Sequence, residues 1–130
     1  MHAREANLAL AAALALAGCY RPEQPVRPIA SYVVGFEGHA TELDLGGARV
    51  VQAASAAALA TRDDKVTVEP YAASRAGQAN QIETRLRAQA VANGLVAWGV
   101  AKERIAIRPK TAIGAEPVAE SRRVEIVIER

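Results

Sequence analysis

Arg122-Arg123-Val124-Glu125-Ile126-Val127-Ile128-Glu129 is the stretch that decides the fold. Its strict alternation predicts a strand with Val124, Ile126 and Ile128 on one face and Arg123, Glu125, Val127 and Glu129 on the other. One face is apolar and the other largely charged, as expected of a sheet covered by helices on one side only. Working back along the chain, Thr111 to Glu120, with Gly114 and Pro117, reads as irregular. Arg104-Ile105-Ala106-Ile107-Arg108 reads as a strand. Gly99 is a C-terminal stop for a long helix running from Gln78 to Trp98. Further back, Lys65-Val66-Thr67-Val68-Glu69 is a strand that Pro70 is expected to stop, and Ala48 to Leu59 is an Ala-rich helix. Gly38, Asp44, Gly46 and Gly47 mark a loop, preceded by a strand over Ser31 to Glu37. The order β-α-β-α-β-β predicts an α+β fold, a two-layer sandwich of two helices packed on a mixed four-stranded sheet.

The long helix carries two stripes. Thr84, Ala88, Val91, Leu95 and Trp98 form one at helical spacing, while Ile82, Leu86, Ala90 and Asn93 lie on a nearly opposite side. A helix covering one sheet needs only one of them. Ile82 and Leu86 are open to two readings: isolated surface apolars or packing on a Pro-rich segment, or a protein-contact patch.

The beginning of the chain has a different character. Leu8 to Ala17 is uncharged, about ten residues against the roughly twenty that a helix needs to span a bilayer. It ends in Leu16-Ala17-Gly18-Cys19, the form of a bacterial lipoprotein processing site, after a short polar start with His2 and Arg4, whose charge Glu5 cancels. The expected organisation is a signal peptide over residues 1–18, a lipidated Cys19 with a Pro-rich tether over 19–30, and one domain over 31–130. A polyproline-like tether from Tyr20 to Pro28 would reach about 25–30 Å, keeping the domain close to the bilayer.

Composition narrows the function classes. Cys19 is the only cysteine, which leaves no intramolecular disulfide and no Cys-based zinc site. Sixteen basic against fourteen acidic residues give a net charge of +2, too small to argue for nucleic acid, and no basic run with interleaved aromatics occurs. His2 and His39 cannot form a metal cluster, and no cofactor is expected. A Ser-His-Asp arrangement would need His39 with Ser31, Ser55, Ser74 or Ser121, none of which has a nucleophile-elbow context. Asp63-Asp64 lies in a polar turn, and Gly46-Gly47 is not followed by the Lys-Ser/Thr of a phosphate loop. The chain reads as a binding protein rather than an enzyme.

The order of elements and two motifs resemble the OmpA-like domain, the periplasmic cell-wall-binding module of outer-membrane proteins and peptidoglycan-associated lipoproteins. Asn80…Arg87-Ala88…Val91…Leu95…Gly99-Val100, then Arg104-Ile105, is similar to that family's central helix and following strand. Ser121-Arg122-Arg123-Val124-Glu125-Ile126 is similar to its closing Asn-Arg-Arg-Val-Glu-Ile. Phe36 with Leu43 is similar to its opening strand and loop. The resemblance implies non-covalent binding of a diaminopimelate-containing peptidoglycan stem peptide, in which an aspartate takes the ammonium group and a helix arginine forks onto a carboxylate. By position the arginine is Arg87, the helix-opening asparagine is Asn80, and Ser74 keeps a hydroxyl where threonine is common. Arg122 and Arg123 would shape the groove or be solvated. The family's Gly-His-Thr-Asp segment corresponds to Glu69-Pro70-Tyr71-Ala72, so Ala72 stands where the aspartate would be. Glu83 replaces a buried leucine and forms an i, i+4 pair with Arg87.

The resemblance therefore implies an outer-membrane lipoprotein, anchored at Cys19 with its domain facing the periplasm, that links that membrane to peptidoglycan. Arg87 and Asn80 would be the main ligand contacts, with Ser74 and Arg123 secondary. Tyr20 after the cysteine is compatible with outer-membrane export. The alternative is a degenerate domain acting as a protein-interaction subunit of an envelope assembly, to which Ala72 and the Ile82/Leu86 stripe point.

Overall fold

The computed structural model describes residues 28–61, 63–73, 78–112 and 122–130, with 73, 78–80, 111 and 112 described in backbone only. The elements are β1 (Pro28–Gly35), α1 (Leu45–Ala60), β2 (Lys65–Ala73), α2 (Gln78–Ala97), a 3-10 turn (Lys102–Arg104), β3 (Ile105–Ile107), β4 (Lys110–Ala112) and β5 (Arg123–Glu129). The sheet runs β1-β5-β2-β3, with β4 paired to β2 off that path. β5 is antiparallel to both β1 and β2, whereas β2 and β3 are parallel, so the sheet is mixed. Both helices lie on one face, and the expected α+β sandwich is the observed one. Among the described residues no helix is long and apolar enough to cross a membrane.

The core sits between the layers. Val34 of β1, Val66 and Val68 of β2, and Val124, Ile126 and Ile128 of β5 meet Val51, Ala54 and Ala58 of α1 and Ala88, Val91 and Leu95 of α2. Burying an aliphatic side chain of this size contributes roughly 1.5–3 kcal/mol, which makes this face the main source of stability. The helices approach closely because their facing positions are small: a Cβ on Gly94 would stand 2.9 Å from Val51 Cγ1.

Several boundaries differ from those expected. β1 begins at Pro28 and ends at Gly35, leaving Phe36 and Glu37 in the loop. α1 starts at Leu45 rather than Ala48, because Asp44 caps it by accepting a 2.7 Å hydrogen bond from the Gly47 amide. Gly47 belongs to the helix since a Cβ there would meet Val34 Cγ1 at 3.3 Å, so the sequence signal for a loop was a signal for close packing.

β2 continues through Pro70 to Ala73. The Arg108 amide donates to the Val68 carbonyl at 2.9 Å, so Val68 and Pro70, two residues apart, both turn their backbone polar groups toward the β3/β4 side. On that side the ladder breaks between Val68↔Ile107 and Tyr71↔Lys110. Pro70 sits at the break, where no amide is needed. β4 itself falls where no strand was expected. Trp98 was placed on the buried stripe, yet it follows the last helical residue and is 52% exposed; Ile82 and Leu86 are each 49% exposed.

The strand register also fixes two ends. Pro28 and Lys65 both face Glu129, and the α1 C-terminus and Trp98 lie at that same end. At the other end are Gly35, paired with Arg123, and the loop from Phe36 to Asp44.

Candidate ligand-binding site

The loop after β1 turns at Gly38, whose φ of +52° lies in the left-handed region that glycine adopts freely. The Ala40 amide closes the turn by donating to the Glu37 carbonyl at 2.9 Å. Arg87 reaches this loop from α2. Its Nε donates to the Ala40 carbonyl and its Nη2 to the Gly38 carbonyl, each at 2.8 Å. The guanidinium also lies 5.4 Å from the centre of the Phe36 ring, a cation–π contact. Arg87 is 4% exposed. Burial pushes its pKa below the ordinary arginine value; Glu83 opposes this, and the neighbouring positive charge of Arg122 adds to it.

Glu83 completes the clamp. One carboxylate oxygen lies 3.8 Å from Arg87 Nη2 and the other 2.7 Å from His39 Nδ1. The family position that carries leucine here carries a carboxylate that ties the loop to α2. His39 is thereby a loop fastener, and its partner is Glu83 rather than a serine. Ser55, one of the serines weighed against it, is buried and donates to the Val51 carbonyl at 2.7 Å.

Of the remaining sequence-derived candidates, Arg123 alone has a described side chain, and it lies away from the Arg87 clamp. Arg123 projects from the sheet face opposite the helices, stacked 3.9 Å from the Tyr71 ring centre and 3.3 Å from Glu125 Oε1. Tyr71 donates to Glu125 Oε2 at 3.1 Å. Burial raises the Tyr71 pKa first, with the hydrogen bond to Glu125 and its charge adding to the shift. Asn80 lies in the first turn of α2, its side chain outside the description; Ser74 and Cys19 lie outside the described residues altogether. Ala72 lines a small cavity of about 270 Å³ in which Pro70, Ala88, Ile107 and Pro109 are joined by Gln81, Thr84, Arg85 and Gln89. Glu69 cannot substitute for an acid there: it lies an odd number of residues from Ala72, on the face shared with Tyr71 and Glu125.

A larger opening, of about 760 Å³, lies at the same end of the domain between the end of β1, the start of α1 and the start of β5. Glu37, Asp44, Arg122 and Arg123 all line it. Asp44 is committed to the helix cap and Arg123 to Glu125 and Tyr71. Arg122 and Glu37 are different. Arg122 Nε is shut off from solvent without a hydrogen-bond partner, and Glu37 has no ion pair among the described residues. The two are neighbours through the backbone, since the Phe36 amide donates to the Arg122 carbonyl at 2.9 Å. Sequence reasoning favoured Arg123 over Arg122 and passed over Glu37. No sequence signal separates the two arginines, since both line this opening and only the folded surroundings leave Arg122 Nε without a partner. Among the described residues no group of three or more His, Cys, Asp or Glu could hold a metal.

No family model matches this sequence, and no curated protein matches it. Solved structures do. The OmpA-like domain of FopA1 from Francisella tularensis subsp. tularensis SCHU S4 is 21% identical, with a TM-score of 0.66 over 85% of this chain and 78% of that one. The peptidoglycan-associated lipoprotein from Burkholderia pseudomallei is 17% identical, with a TM-score of 0.64 over 75% and 89%. A MotB-like protein from Desulfovibrio vulgaris is 21% identical, with a TM-score of 0.62 over 77% and 72%. Two helices on one face of a mixed β1-β5-β2-β3 sheet, superposing on these domains, are the OmpA-like fold, and that is the fold of this chain.

Proposed function

We propose that the domain binds peptidoglycan stem peptide non-covalently and belongs to an envelope lipoprotein anchored at Cys19, linking the outer membrane to the cell wall. Its fold is shared with a protein named as peptidoglycan-associated, which supports the envelope role. The observation that carries the reading is the cleft at the end of β1, lined by Arg122, whose Nε lacks a hydrogen-bond partner, and by Glu37, which has no ion pair among the described residues. A zwitterionic amino-acid end such as that of diaminopimelate needs both: a fork of donors for its carboxylate and a carboxylate for its ammonium. Arg87 serves this site by holding the Phe36–Ala40 loop in place, and Ala72 takes no part in it.

The test is co-sedimentation of the domain with diaminopimelate-type sacculi, with free diaminopimelate as competitor. Saturable, competable binding is expected, and Arg122→Gln or Glu37→Gln should weaken it roughly ten- to a hundred-fold, the cost of about 1.5–3 kcal/mol for one charge-assisted bond. Absence of binding by the folded domain would sink the proposal.

A second reading, a protein-interaction subunit of an envelope assembly, is favoured by one observation: Ile82 and Leu86 stay half exposed, one turn apart on α2. Under it Leu86→Glu breaks a complex while Arg122→Gln leaves it intact.

A further inference from the structure

The end of the domain at which the described chain begins has its own character. Pro28 enters the sheet there beside Glu129, and eight residues, Tyr20 to Arg27, separate it from Cys19. Eight residues span at most about 30 Å when fully extended. If Cys19 is acylated, as the proposed function holds, this end cannot stray far from the lipid surface.

Exposed apolar side chains collect at the same end. Leu59 is 46% exposed in the last turn of α1, Val96 43% near the end of α2, and Trp98 52% just beyond it. Leu59 and the Trp98-Gly99 corner are adjacent, since a Cβ on Gly99 would lie 3.9 Å from Leu59 Cδ1. Val96 borders a separate recess toward β3, lined by Gln89, Asn93, Lys102, Ile105 and Ile107. The corner is also rigid. Arg104 Nε donates to the Asp64 carbonyl at 2.9 Å and Nη2 to the Thr61 carbonyl at 2.6 Å, locking the 3-10 turn to the turn after α1. A tryptophan, with an indole N–H and an apolar body, suits the boundary between lipid headgroups and acyl chains.

We infer that this corner, with Leu59 and Trp98, rests on the lipid surface to which Cys19 is anchored. The inference rests on the lipoprotein reading but concerns a different surface from the cleft. Two or three half-exposed apolar side chains would not recruit a free domain to a membrane. A short tether changes that, because it holds the corner near the surface at an effective concentration in the millimolar range. Docking this way sets the orientation. α2 is twenty residues long, about 30 Å, and the cleft of Arg122 and Glu37 lies at its far end, facing away from the bilayer.

Trp98 is the only tryptophan in the chain, so its emission reports this corner alone. The full-length, acylated protein is reconstituted in vesicles of phosphatidylethanolamine and phosphatidylglycerol, with and without brominated acyl chains. We expect a blue shift and bromine quenching of Trp98, both absent from the Cys19→Ser protein mixed with the same vesicles. Leu59→Glu, a change at a half-exposed position, should reduce the quenching while the protein still floats with the vesicles. An acylated protein that floats but emits like Cys19→Ser would overturn the docking and leave the anchor standing. Failure of the full-length protein to float would overturn both. A blue shift that appears without vesicles and grows with protein concentration would mean that a second copy covers Trp98, and would also overturn the docking.

Discussion

Arg87 and Ala40 are joined across forty-seven residues of sequence: the Nε of one donates to the carbonyl oxygen of the other at 2.8 Å. With the second bond to Gly38, the guanidinium fastens the loop that forms one wall of the cleft. The resemblance implies that Arg87 is a ligand contact. The geometry gives it a structural role, because Arg87→Ala leaves two carbonyls of a packed loop without their donors. A hydrogen bond to a charged group is worth about 1.5–3 kcal/mol, so Arg87→Ala should destabilise the domain by about 2–4 kcal/mol. Arg87→Lys should recover only part, since one ammonium cannot reproduce the two-pronged geometry. Denaturant unfolding of the three proteins checks this; an unchanged midpoint for Arg87→Ala would remove the clamp.

Gly94 tests the contact between the helices. Exchanging glycine for alanine inside a helix ordinarily gains up to about 1 kcal/mol. Here the new Cβ would meet Val51 Cγ1 at 2.9 Å, and Val51 is fully buried and stiff at its branched Cβ. Overpacking of this kind costs about 1–3 kcal/mol, which outweighs the propensity gain. Gly94→Ala should therefore destabilise, and the cost should shrink in a Val51→Ala background. Additive effects in that double-mutant cycle would mean the two positions do not touch.

Tyr71 predicts an alkaline signature. Its phenol is raised above the ordinary value of 10.0 by burial, then by the hydrogen bond to Glu125 and that residue's charge. A raised folded-state pKa favours the protonated form in the fold. The associated stability is complete below pH 10.0 and is lost as pH rises through the higher folded-state value. Tyr71→Phe should flatten the fall in stability within that alkaline window, and Tyr71 should ionise after free tyrosine in an ultraviolet titration of the folded domain. A Tyr71→Phe profile parallel to wild type would contradict the shift.

Much of the fold was legible because β5 states its own faces. Val124, Ile126 and Ile128 are buried against the helices, as period two requires, and Ala88, Val91 and Leu95 answer them at helical spacing. Where the reading failed, a local signal was overruled by tertiary packing. Gly47 read as loop but is the small residue that lets α1 approach Val34, and Pro70 read as a stop but sits at a break in the ladder. Trp98 fits the helical stripe by spacing, yet the helix ends one residue before it. The candidate site was legible only as a position. Spacing placed Arg87 on the helix but could not show that its partners are carbonyls of a loop folded back against it. Arg122 was hidden for a similar reason: its unpartnered Nε is a property of the folded surroundings, whereas sequence offers only two adjacent arginines.

Ala72→Asp separates the two possible locations of ligand binding. It restores the residue that the OmpA-like pattern carries there, in a domain that keeps Arg87. If the pair at positions 72 and 87 were the latent site, this change should strengthen sacculus binding. The structure argues otherwise. Ala72 faces Pro70, Ala88, Ile107 and Pro109, and the Arg87 guanidinium is turned to Gly38 and Ala40. A carboxylate there would lose hydration beside Ala88, Ile107 and Pro109, and its polar neighbours in the cavity would be Gln81, Thr84, Arg85 and Gln89 rather than Arg87. Ala72→Asp should therefore leave sacculus affinity as it was. A tenfold gain in affinity instead would move the ligand from the Arg122–Glu37 cleft to the Arg87 side of the loop.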